Sequence, residues 1–152
     1  MILQSNGGTN IQRATTASNQ AIVGTVDGVA LLAKAERGWT VKHRALQGVF
    51  VSGVTALDDG TLFASTRGVG MARSDDGGVK WSWVNEGLAH HEFWSTRAGR
   101  LQGRDVVFAG ALPAHLYVSE DKGKSWRELR AFRDAKTVPH WTFPPPPRIG
   151  HI

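Results

Sequence analysis

Apolar residues in this chain fall in short runs broken by glycine, and the runs are rich in Val, Ile, Phe and Thr. Runs of that length and composition, bounded by turn residues, predict strands rather than helices. Ile22-Val23-Gly24-Thr25, Val29-Ala30-Leu31-Leu32, Val49 to Ala56, Leu62 to Thr66, Met71 to Ser74, Phe93 to Thr96 and Leu116-Tyr117-Val118 are the clearest of them. Asp27-Gly28, Arg37-Gly38 and Asp58-Asp59-Gly60 supply the turn signals between neighbours. No stretch has helical periodicity over several turns. Ala131 to Lys136 offers one short helical turn, and the following Val138-Pro139 argues for a loop.

The pattern repeats. Ser74-Asp75-Asp76-Gly77-Gly78-Val79-Lys80-Trp81 returns as Ser119-Glu120-Asp121-Lys122-Gly123-Lys124-Ser125-Trp126, and the two tryptophans stand 45 residues apart. Upstream, Leu62-Phe63-Ala64-Ser65-Thr66 matches Val107-Phe108-Ala109-Gly110-Ala111 at the same offset, so two strands and the hairpin after them recur as one unit. That period is the length of one four-stranded propeller blade. A weaker first copy runs from Ile22 to Gly38-Trp39, 42 residues before Trp81, with Lys34 to Arg37 supplying neither the Ser nor the Asp.

Ser-x-Asp-x-Gly-x-x-Trp resembles the Asp-box of the BNR-like β-propellers, a superfamily that includes sialidases and sortilin-type receptors. The resemblance implies an all-β fold built from four-stranded antiparallel blades, here a partial propeller of about three. It also implies structural roles for the box. Ser74 and Ser119 would end a strand and bond the turn backbone, and Asp76 and Asp121 would accept N–H bonds there. Gly78 and Gly123 would supply positive φ, and Trp81 and Trp126 would open the next strand and pack between blades. A calcium loop is the competing reading of these residues, but Ca²⁺ takes 6–8 oxygen ligands and each box offers few carboxylates.

On this frame residues 1–20 form a polar lead with one strand, 21–47 a degenerate first blade, 48–89 a second and 90–133 a third. Residues 134–152 carry four successive prolines, Pro144 to Pro147, as a connector into the start of a fourth. Three blades do not close a ring, and open propeller edges invite pairing. The expectation is therefore a homo-oligomer, or pairing with a second half-propeller chain, presenting loops to a protein or small-molecule ligand.

Composition narrows the setting. A chain of 152 residues with 41% hydrophobic content is enough for one globular domain, and it has no cysteine for disulfides or thiolate metal sites. Met1-Ile2-Leu3 runs into a polar stretch with no apolar signal region, and no run is long enough to span a bilayer, so a cytoplasmic location is expected with no membrane partner. The net charge of +5 raises a nucleic-acid reading. Its basic residues are scattered, however, and the densest group, Arg97, Arg100 and Arg104, fits a hairpin flanked by Gly99 and Gly103 rather than an aromatic-lined strand-binding groove.

Catalysis by a sialidase-like glycoside hydrolase needs an arginine triad and a Tyr/Glu nucleophile pair. Tyr117 is the one tyrosine, placed within the repeat as a packing residue. The sequence thus points to a ligand- or protein-binding scaffold with no assigned catalytic residue. The alternative is a glycoside hydrolase or metal-dependent enzyme whose site another chain completes. Candidate ligand contacts at the channel mouth are His90, His91 and Glu92, at the start of the third blade's inner strand, and His151 at the start of the fourth. His91 and His151 are the candidate ligands for a divalent metal such as Zn²⁺, with His115 and His140 able to approach from loops.

Overall fold

The computed structural model describes residues 18–137 and His140, together with the backbone of two N-terminal strands at 2–4 and 11–12. Strands β1 (Ile2–Gln4), β2 (Ile11–Gln12), β3 (Gln20–Thr25), β4 (Gly28–Ala35) and β5 (Gly38–Ala45) make one sheet in the order β2-β1-β3-β4-β5. Strands β6 (Val51–Ala56), β7 (Leu62–Thr66), β8 (Met71–Ser74) and β9 (Ser82–Trp83) make a second, in chain order. Strands β10 (Phe93–Leu101), β11 (Arg104–Ala111), β12 (His115–Ser119) and β13 (Arg127–Glu128) make a third in the same way. A four-residue helix, α1 (Arg130–Arg133), follows. The helical turn offered by the sequence therefore forms, beginning one residue earlier than Ala131. His151 and the Pro144–Pro147 run lie outside the described residues.

Each of the second and third sheets is an antiparallel meander, and the three sheets pack face to face as the blades of a partial β-propeller. The first departs from that plan at its inner edge. There β1 occupies the place that β6 and β10 take in their sheets, but it runs parallel to its neighbour β3, with Leu3 opposite Ile22.

Alternation along β7 explains how one strand serves two cores. All five of its residues are buried, because a second strand of a central blade has a neighbour on each face. Leu62 and Ala64 point one way and join Ile22, Val29, Val51, Val54 and Ala72 between the first and second blades. Phe63 points the other way and joins Met71, Phe93, Val107, Tyr117 and Trp126 between the second and third. Burying a side chain of the size of Phe63 stabilises by roughly 1.5–3 kcal/mol, and Trp126 meets its ring edge-on at a centroid distance of 6.5 Å. The inner strand β6 of the same central blade is buried likewise, whereas in β10, on the last blade, only Phe93 and Thr96 are buried. The outer strands β9 and β13 are two residues long and exposed or half-buried.

Trp39 corrects the reading of the first repeat. The sequence offers it as the counterpart of Trp81 and Trp126, which directly precede β9 and β13 and turn back towards the preceding blade. Instead Trp39 lies inside β5, opposite Lys34, and is 44% exposed. In place of the Ser-x-Asp turn the chain reverses through the two residues Glu36-Arg37. Strands β4 and β5 thus run on as a long hairpin closed at Ala35 and Gly38.

Candidate functional site

The two ends of the blades differ in chemistry. One end carries the repeated octapeptide hairpins, whose Ser and Asp side chains at the first and third positions bond within the turn. Ser74 closes β8 and Ser119 closes β12; their hydroxyls accept the N–H of Gly78 at 2.9 Å and of Gly123 at 2.8 Å. The Asp76 carboxylate accepts the N–H groups of Val79 and Lys80 and the Ser74 hydroxyl, at 3.1, 2.9 and 2.9 Å. Asp121 accepts the Ser119 hydroxyl at 2.8 Å and the Ser125 N–H at 3.0 Å. These donors favour the ionised carboxyl, and both aspartates sit below the usual carboxylate range. Gly78 and Gly123 have φ of +92° and +81°. A carboxylate surrounded by turn N–H groups is a staple, and among the described residues no group of three or more His, Asp or Glu side chains is arranged to hold a metal ion.

At the same end an exposed ion pair between Lys122 and Asp59 ties the third blade's hairpin to the second blade's β6–β7 turn. It holds the Asp59 carboxyl well below its ordinary range. Between the first two blades lies a cleft of about 560 Å³, floored by Ile22 and Leu31 and rimmed by Lys42, Asp59 and Asp76.

The opposite end, formed by the turn 67–70, the crossover 84–92 and the turn 112–114, gathers side chains with other uses. His90, in the crossover, reaches β12, where its Nδ1 meets the Tyr117 hydroxyl at 2.7 Å. Its ring stacks on His115 at a centroid distance of 4.1 Å. His115 Nδ1 in turn meets Glu128 Oε1 at 2.6 Å, and Arg133 donates to Glu128 Oε2 at 3.3 Å. Burial, then the neighbouring His115, pushes His90 below its ordinary 6.5, while burial and the Glu128 charge push the Tyr117 phenol above 10. Both groups are thus neutral near pH 7, and the phenol can donate to Nδ1 of an imidazole carrying its proton on Nε2. A cleft of about 580 Å³ opens beside this chain, lined by Tyr117, Arg127, Glu128 and Arg130.

His115, at the start of β12, thus approaches His90. The reason lies in β12: Tyr117 points towards the second blade and is fully buried, so its hydroxyl emerges beside the crossover that carries His90. His91 is exposed and contributes its carbonyl, which accepts the N–H groups of Gly68 at 3.1 Å and Gly70 at 2.9 Å. Glu92 forms a single antiparallel bridge with Arg67. His140 is exposed, with its N–H bonded to the Thr137 carbonyl. Glu128 and Arg133 have no sequence signal, since the contact between β13, α1 and the His115 turn exists only after folding.

No helix among the described residues is long and apolar enough to cross a membrane. No family model matches the chain, and no curated protein matches it. Among solved structures the chain is similar to an ancestral GH74 enzyme, with 14% sequence identity and a TM-score of 0.45. That match covers 67% of this chain and 18% of the enzyme, so the chain spans less than a fifth of that protein's length.

Proposed function

We propose that the chain is a BNR/Asp-box propeller module that works by binding, and that its ring is completed by a second copy of itself docked head to tail. The observation that carries this reading is the contrast between the inner faces of the blades and the two outer flanks. Both inter-blade cores are closed by aliphatic and aromatic side chains at or near zero exposure. On the outer flank of the first blade Trp39 and Val41 are 44% and 47% exposed. On the outer flank of the third, Phe108, Gly110 and Leu116 line an apolar groove of about 350 Å³.

Head-to-tail docking follows from the repeat. The flank that the third blade offers is the counterpart, one period on, of the face by which the second blade receives the third. A first blade from another copy is the matching element, and such a heterologous contact closes into a ring when the rotation per blade allows it. The end bearing His90, Tyr117, His115 and Glu128 would then form one face of the ring, with the 580 Å³ cleft available to a ligand.

Size-exclusion chromatography with light scattering tests the assembly. A multiple of 16.5 kDa is expected at micromolar concentration, and a monodisperse 16.5 kDa species would sink it.

A further inference from the structure

Arg67 follows β7 at the end away from the octapeptide hairpins, and its guanidinium lies over two aromatic rings. The guanidinium carbon is 3.5 Å from the centroid of Trp94 and 4.7 Å from that of Phe50. Backbone bonds hold the three in place: Arg67 N–H donates to the Phe50 carbonyl at 2.9 Å, and Arg67 bridges Glu92, two residues before Trp94. Phe50 leads into β6 and Trp94 stands near the start of β10, so the stack sits at one end of the innermost strands of two successive blades. Arg67 is half-buried.

A guanidinium stacked on rings uses its π faces and keeps its N–H donors around the rim, in its own plane. Among the described residues no carboxylate forms an ion pair with Arg67. We propose that Arg67, stacked on Trp94 and Phe50, is the receptor for a carboxylate on a ligand, taken edge-on by its N–H rim. The two oxygens of a carboxylate lie in one plane and accept two parallel N–H bonds from that rim. The only other charged side chain on the bridge is Glu92, whose negative charge opposes a dianion more than a monoanion. This site lies on blades two and three alone and does not depend on how the ring is completed.

The test is a titration of ¹⁵N-labelled protein with sodium acetate at constant ionic strength and pH 7, with sodium chloride and inorganic phosphate as parallel arms. Expected is a saturable shift of the Arg67 Nε–H and Trp94 Nε1–H resonances with acetate, smaller with phosphate and absent with chloride. Arg67→Lys keeps the positive charge but loses the planar fork, and acetate binding should weaken about tenfold. Glu92→Gln should tighten it several-fold. Folding of each variant is read from the dispersion of the same spectra, and the Glu92→Gln arm stands even if Arg67→Lys fails to fold. No saturable shift at Arg67, a shift reproduced by chloride, or a stronger response to phosphate would overturn the proposal.

Discussion

Gly78 and Gly123 occupy equivalent places in the two octapeptide hairpins, yet their surroundings make them unequal. Both hold positive φ, so an added Cβ costs each roughly 1–2 kcal/mol. At Gly78 that Cβ would meet the Leu31 and Ile22 Cδ1 methyls at 3.2 and 3.3 Å, the far ends of side chains that can shift. At Gly123 it would come within 2.6 Å of Cε1 of Phe63, a ring fixed in the core by Trp126. Gly123→Ala should therefore destabilise more than Gly78→Ala, by an overpacking increment of about 1–3 kcal/mol. Urea unfolding of both variants measures the difference, and equal midpoints would show that Phe63 yields freely. The motif alone gives the two glycines the same role; the residue packed against each one separates them.

Among elements, the crossover between β9 and β10 is the one whose stability should respond to mild acid. His90 anchors it to β12 through Tyr117 and stacks on His115, itself tied to Glu128, with His91 alongside. Burial and His115 hold His90 below its ordinary 6.5 in the folded chain. Between those two values the unfolded chain binds a proton that the folded chain refuses, so stability falls as pH drops below about 6.5. His90→Asn removes that titration while leaving a side-chain acceptor near the phenol. Urea midpoints measured from pH 8 down to pH 5.5 should decline less steeply for the variant, and parallel curves would mean that His90 does not contribute. The sequence places His90 at the entry to the third blade's inner strand, and it sits in the crossover three residues before β10. It could not show that the residue turns towards β12, because that depends on Tyr117 emerging at the same end.

At the scale of the molecule, the flanks decide behaviour. Strand β5 has eight residues, against two in each of the other outer strands, and exposes Trp39 and Val41 at the edge of the first sheet. Long exposed edges with apolar side chains are sites of association. If the first blade docks on the third blade of another copy, Trp39→Glu places a charge in that interface and should shift the chain to a smaller species on size exclusion. Its urea midpoint at low protein concentration should stay close to wild type, since Trp39 packs in neither core. An unchanged elution volume would remove Trp39 from the interface.

What the sequence determined by itself was local or periodic. The hairpin chemistry of Ser74, Asp76, Ser119 and Asp121 closes within a few residues, so a single motif specifies it. The offset between the two copies sets the blade length because strands and turns must recur at the same spacing. Tertiary structure decided whatever joins residues far apart in the chain. Arg67 meets Phe50 and Trp94, and His90 meets Tyr117 and His115, across separate strands and blades, where side-chain direction depends on register and on the crossing of sheets. It also decided that Trp39 faces outward, since the first repeat lacks the turn that folds Trp81 and Trp126 back onto a neighbour.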